Sequence, residues 1–389
     1  MKHCFLKLNH RPISIGIAMV FGTIVLGAAE PIIKSENASV RHEVKRAIDK
    51  GLAWLEKDQN TNGFWSTADH PAITALALIA FEGRVESERL GPEAPPIKKG
   101  YAFLLSCVKT NGGIYRNDLP SYNTSVALTA FCAANRAEYR PLIQKARQFL
   151  IGFQYESVDS NDPLNGGIGY GTQDKTPDLS NTSLALEALY HSKQIIADKN
   201  NFDAKDLNWP AAIRFLQNCQ NLPDQNHQKW ASDDSQNQGG FVYAPGNSKA
   251  GETNLAPARI ALRSYGSMSY AGLLSYIYAD LRRDDPRVNA VMDWLRSNYT
   301  LAENPGMGQQ GLFYYYHTMA KALTLYGGDT IETKEGKKIK WREELALKLI
   351  DLQLGNGSWS NPSGRWFEKD ADLVTAYAVI ALDMVYGNL

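Results

Sequence analysis

Residues 50–65 read Lys-Gly-Leu-Ala-Trp-Leu-Glu-Lys-Asp-Gln-Asn-Thr-Asn-Gly-Phe-Trp. Ile48, Leu52 and Leu55 fall at i, i+4 and i+7, while Lys50, Glu56 and Lys57 occupy other faces. That spacing predicts a helix with one buried stripe. Gly63 permits a tight reversal at positive φ, and Trp65, two residues on, is placed to pack over a neighbouring helix end. The spacing then returns along the chain. A second copy has Lys99-Gly100, Phe103-Leu104, Gly113 and Tyr115, and a third has Lys145-Ala146, Phe149-Leu150 and Gln154, with Gly166-Gly167 after an insertion. The fourth runs Ala211-Ala212, Phe215-Leu216 and Gln220 to Gly239-Gly240-Phe241. The fifth has Ala290, Trp294-Leu295 and Gly311-Leu312-Phe313, and the sixth Leu349, Gln353, Gly357 and Trp359. Six copies of one spacing mean one supersecondary unit repeated.

Each copy continues into a second segment: residues 74–78, 124–128, 182–186, 269–273, 318–322 and 375–379, most of them rich in alanine and apolar on every face. Such a pattern predicts a helix buried all round. Amphipathic helices therefore alternate with fully buried ones, which two concentric rings satisfy. The competing arrangement, an open solenoid, calls for polar terminal repeats, whereas the last copy is apolar from Tyr377 to Val385. The expected fold is all-α, an (α/α)6 toroid over residues 43–389, with insertions near 155–165, 221–258 and 328–340. Pro71 after Asp69 and His70, together with Asn123, Asn181 and Asp372, mark inner-helix starts as first-turn or capping residues. If those starts line one mouth, Asp69, His70, Asn123, Asp178, Asn181, Tyr265, Tyr316, His317, Asp370 and Asp372 converge there as a ligand site.

The stretch Lys50 to Trp65 resembles the QW repeat of squalene and oxidosqualene cyclases, found in looser form in protein prenyltransferase β subunits. The resemblance spans roughly residues 43–386 and implies a single barrel, closest in size to a prenyltransferase β subunit, with a cavity where the inner helices begin. In the cyclases an Asp-x-Asp-Asp motif followed by Thr-Ala protonates an alkene. Here Asp370-Ala371-Asp372-Leu373 precedes Thr375-Ala376, and the resemblance makes Asp372 the acid and Asp370 its companion. Asp372 serves equally as a helix cap. His317 resembles the zinc-binding His of the prenyltransferases, but the preceding repeat reads Tyr265-Gly266-Ser267 where Asp-x-Cys belongs, so no metal and no cofactor is expected. Arg259 stands where that family binds diphosphate; its companion Lys is Leu262, with Arg263 adjacent.

Lys2, Lys7 and Arg11 precede an uncharged run from Ile13 to Ala29 that closes on Gly27-Ala28-Ala29. This is the layout of a secretory signal peptide cleaved near Ala29, with an uncleaved anchor as the alternative and 30–42 as linker. Beyond it Cys107, Cys132 and Cys219 read as buried thiols, because three cannot all pair within one chain. The 41 basic residues balance 41 acidic ones, which argues against nucleic acid as a partner.

Three functions fit: an exported isoprenoid enzyme acting by cyclisation or transfer, an exported binding protein for a small molecule, peptide or glycan, and a carbohydrate-active toroid. The last would use paired carboxylates such as Asp69 and Asp372, about 5 to 10 Å apart across a cleft.

Overall fold

The computed structural model describes residues 38–83, 90–171, 175–196, 205–256 and 259–389. The basic amino terminus and the uncharged run to Ala29 lie outside the described residues. Twelve α-helices occur among those described. The outer ones are α1 (Ala38–Asp58), α3 (Pro95–Ser106), α5 (Arg140–Ile151), α7 (Trp209–Gln217), α9 (Pro286–Ser297) and α11 (Trp341–Asp351). The inner ones are α2 (Pro71–Gly83), α4 (Pro120–Ala134), α6 (Leu179–Ile196), α8 (Gly266–Tyr278), α10 (Leu312–Tyr326) and α12 (Ala371–Tyr386). Helix α1 begins inside the stretch read as linker. Its first turns dock on the end of α12, where Arg41 lies 4.1 Å over the Tyr386 ring and donates to the Tyr386 carbonyl at 2.9 Å.

Burial sorts the two rings. Helix α1 buries only Val44, Ala47, Ile48, Gly51, Leu52 and Leu55, whereas α2 buries every residue from Pro71 to Glu82. Each inner helix packs on the next, and α12 packs on α2, so the ring of six is closed. The fold is therefore an (α/α)6 toroid. No helix among the described residues is long and apolar enough to cross a membrane. Cys107, Cys132 and Cys219 are buried in the core.

One hydrogen-bond scheme recurs around the ring. The backbone N–H of Trp65 donates to Thr74 Oγ1 at 3.1 Å, and Ile114, Ile168, Phe241 and Trp359 donate in the same way to Thr124, Thr182, Ser269 and Thr375. Ile114 thus holds the place of Trp65 in the second copy. Tyr115, read from the sequence in that role, is shifted by one because the reversing glycine is Gly112 (φ 92°). The repeat's glutamine joins each turn to the next outer helix. Gln59 Nε2 donates to the carbonyls of Gly63 and Pro96, Gln154 to Gly166 and Asn208, and Gln220 to Gly239 and Arg287. Gln353 completes the circuit, reaching Gly357 and, back in the first helix, Ala47 at 2.9 Å. Close approach explains Gly51: a Cβ there would stand 2.7 Å from Val379 and 2.8 Å from the Trp359 ring.

The fifth copy departs from this scheme. Gly311 does not form the reversal but stands before α10 with φ 65°. The loop ahead of it makes its own turn, in which the Asn304 N–H donates to the Gly308 carbonyl at 2.8 Å and Asn304 Oδ1 accepts from Ser267 N–H. Two insertions form short antiparallel hairpins: β1 (Glu252–Ala256) with β2 (Arg259–Leu262), and β3 (Ile331–Glu332) with β4 (Lys338–Ile339).

Candidate functional site

The inner helices all begin at one end of the barrel, and a cavity of about 280 Å3 opens there. The third residue of five of these helices faces into it: Ile73, Tyr122, Met268, Tyr314 and Leu373. Deeper positions add Leu184 and Tyr377, and loops supply His70, Leu119, Tyr170, Tyr243, Tyr265, Trp366, Phe367 and Glu368. Six tyrosines, a tryptophan and a phenylalanine thus surround a space to which no Lys or Arg among the described residues contributes. Aromatic faces carry partial negative charge and suit apolar or cationic groups. A diphosphate inside the cavity would find no cation among the described residues of the wall to neutralise it; the guanidinium of Arg365 stands at the rim, 4.4 Å over the Trp366 ring.

Polar groups are sparse and mostly engaged. Glu368 is buried, and its carboxylate accepts from the Tyr314 N–H at 2.8 Å and from Asn361 Nδ2 at 2.6 Å. It therefore caps α10 from a neighbouring loop, with the helix dipole favouring its charge. Burial raises its pKa against these donors. Asp178 sits behind the wall, accepting from the Asn181 N–H at 2.9 Å and Asn181 Nδ2 at 2.6 Å. Burial pushes its pKa up to about 6. The Tyr243 hydroxyl reaches both Asp178 and Tyr170, and burial beside that carboxylate holds the phenol protonated. His70 meets Phe367 edge-on, ring centroids 5.3 Å apart, and its buried Nδ1 has no partner.

Trp366 and Phe367 form the rim. Both have left-handed backbone (φ 55° and 67°) and are 43% and 54% exposed. Two consecutive bulky residues in that region cost about 1–2 kcal/mol each. Such backbone persists only where the surrounding structure imposes it.

The residues singled out from sequence divide into three groups. His70 and Tyr265 line the cavity. Asp178 and Asn181 stand behind its wall, with Asp178 rather than Asn181 accepting from the first turn of α6. The rest are elsewhere. Asn123 is fully buried between helices, where its Oδ1 caps α2 through the Ala72 N–H at 3.0 Å. Asp69 is exposed beside Asn117. Tyr316 points outward and donates to the Leu301 carbonyl at 2.6 Å. Arg259 lies on the exposed hairpin, 3.3 Å from Asp233. His317 is buried below the cavity, against Tyr377.

Asp370 and Asp372 do not line the cavity either. Asp370, not Asp372, is the N-cap of α12, accepting from the Leu373 N–H at 3.0 Å. Asp372 is buried with Oδ2 on the Ser66 N–H at 2.7 Å and the Asp58 carboxyl beside it. Burial, then Asp58 and Asp370, push its pKa up. One helical step separates it from Leu373, which does face the cavity, so the carboxylate turns into the seam between α12 and the loop after α1. Asp69 and Asp372 consequently do not flank the cavity as a catalytic pair. Among the described residues no group of three or more His, Cys, Asp or Glu is placed to hold a metal ion.

No family model matches the chain. Several solved structures share its fold. The type II terpene cyclase MstE from Scytonema, in complex with geranylgeranyl dihydroxybenzoate (substrate), is 12% identical with a TM-score of 0.53, covering 90% of this chain and 99% of that one. A possible member of the GH105 family from Klebsiella pneumoniae is 11% identical with a TM-score of 0.54, covering 96% and 99%. A D-mannose isomerase is 12% identical with a TM-score of 0.56, covering 93% and 100%. At these identities the likeness shows the α/α toroid fold.

Proposed function

We propose that this protein is an exported toroid whose axial cavity binds a neutral, largely apolar small molecule of isoprenoid type. The observation that carries the reading is the lining: eight aromatic side chains with no Lys or Arg among the described residues. About 280 Å3 lies just below the usual range for small-molecule pockets. The likeness to a terpene cyclase carrying a geranylgeranyl substrate supports a ligand of this class. A sugar needs many convergent free donors and acceptors. Here the hydroxyl of Tyr122 is paired with Tyr377, that of Tyr243 with Tyr170 and Asp178, and that of Tyr314 with Ser180, which leaves chiefly Ser267, His70 and Tyr265. Binding is favoured over acid-initiated cyclisation, because the carboxylates of Asp370 and Asp372 stand outside the lining and that of Glu368 is held by the Tyr314 N–H and Asn361 Nδ2. Export rests on the basic and uncharged amino-terminal stretches.

Titration of the tryptophan fluorescence with farnesol and with its hydrocarbon analogue farnesene tests the reading, since Trp366 stands at the rim. Saturable binding of at least one probe is expected. Met268→Trp, which fills the cavity, is expected to weaken it at least tenfold. Absence of saturable binding by either probe, with no polyisoprenoid mass in an organic extract of the purified protein, would falsify the proposal.

A further inference from the structure

Below the cavity, on the barrel axis, lies a second space of about 30 Å3. Tyr122, Leu184, Tyr314 and Tyr377 line both spaces and form a collar between them. The chemistry changes across it. Above the collar the walls are aromatic. Beneath it Lys321 and Glu187 form an ion pair, with side chains 9% and 7% exposed, next to His317, which is 4% exposed. A void of this size has room for a water or a single polar substituent, and is too small for a ring.

The His317 ring is engaged on one side only. It hydrogen-bonds the Tyr377 backbone and packs on the Tyr377 ring with centroids 4.9 Å apart. Nδ1 is buried and has no partner. Burial and the Lys321 ammonium keep the imidazole neutral. A neutral imidazole donating through Nε2 leaves Nδ1 as an acceptor, and a buried acceptor left unmet is costly. Lys321 brings three N–H groups, one directed to Glu187.

We infer that this lower chamber is the seat for a hydroxyl group at one end of the ligand, which donates to His317 Nδ1 and accepts from Lys321 while the apolar body fills the aromatic cavity above. The assignment rests on the binding reading of the upper cavity and names its ligand class as an isoprenoid alcohol. Such an amphiphile would enter polar end first, with the collar side chains parting around it. A hydrocarbon of the same length would leave Nδ1 unmet, and a diphosphate is too large for the chamber.

The test compares farnesol with farnesene on the full-length protein. Wild type is expected to bind farnesol about tenfold more tightly. His317→Phe should bring farnesol down to the farnesene level with farnesene unchanged, and His317→Gln, which restores an acceptor, should recover part of the preference. In wild type labelled with 15N-histidine, the Nδ1 resonance of His317 should move upfield with farnesol and stay in place with farnesene; this readout stands even where a variant does not fold. Equal affinities with an unmoved Nδ1, as expected if a permanent water occupies the chamber, overturn the hydroxyl seat and leave the cavity reading standing. Failure of both probes to bind overturns both.

Discussion

Trp359 and Trp366 stand seven residues apart and do opposite work. Trp359 is fully buried, donates through Nε1 to the Leu349 carbonyl at 2.7 Å, and lies where any side chain at position 51 would collide with it. It closes the ring by joining the last repeat to the first. Trp366 is 43% exposed, on a left-handed backbone, at the rim of the cavity. The seam keeps the repeat's hydrogen bonds and close packing. The rim abandons them, and with Phe367 it holds strained backbone that only surrounding structure can impose. On the binding reading proposed above, stability and ligand recognition fall to separate parts of one short loop.

The sharpest way to break that comparison is Trp359→Ala. Deletion of a fully buried tryptophan is expected to cost about 3–5 kcal/mol, read by urea unfolding. A loss under about 1 kcal/mol would mean that the seam does not hold the ring closed.

Asp372→Asn probes the other side of the seam and should stabilise the protein above neutral pH by about 1–3 kcal/mol, with solvent screening part of the repulsion from half-buried Asp370. The sign follows from linkage. The folded pKa of Asp372 lies above the unfolded value, so its contribution is fully present below about pH 4 and is lost as pH rises through the folded pKa. The variant's advantage in thermal unfolding should therefore grow from pH 4 to pH 8. Farnesol affinity should stay the same. Loss of binding in this variant would return Asp372 to the site and erase the division between seam and rim.

Phe367→Gly should have the smallest effect on stability, a gain of about 1 kcal/mol from relieved backbone strain, together with several-fold weaker farnesol binding. A gain without loss of binding would show that the strained rim does not serve the ligand.

Much of the fold was legible in the sequence because the repeat is a local code. Gln59, Gly63, Trp65 and Thr74 are joined in one turn, and their counterparts recur at Gln353, Gly357, Trp359 and Thr375. Even ring closure was readable, since the last copy carries no polar cap. The cavity was less legible. Sequence reasoning favoured polar and charged residues at the helix starts, of which Asn123, Asp178 and Asp370 proved to be caps and Asp372 a seam contact. The cavity wall is made instead by the third residue of the inner helices, as at Tyr122, where a tyrosine interrupts a first turn of small and polar residues. That interruption was the available signal. Glu368 gave none, because it caps a helix that precedes it in the chain by more than fifty residues. Tyr243 was hidden in an insertion that reads as polar loop.

The sequence by itself determined the alternation of half-buried and wholly buried helices, the reversing glycines and the closure of six units, because each depends on spacing within one repeat. Which face of each inner helix meets the axis was decided only by the tertiary structure. A rotation of 100° per residue sends Leu373 into the cavity and its neighbour Asp372 into the seam. That orientation is set by contacts hundreds of residues apart, such as the Ser66 N–H on Asp372.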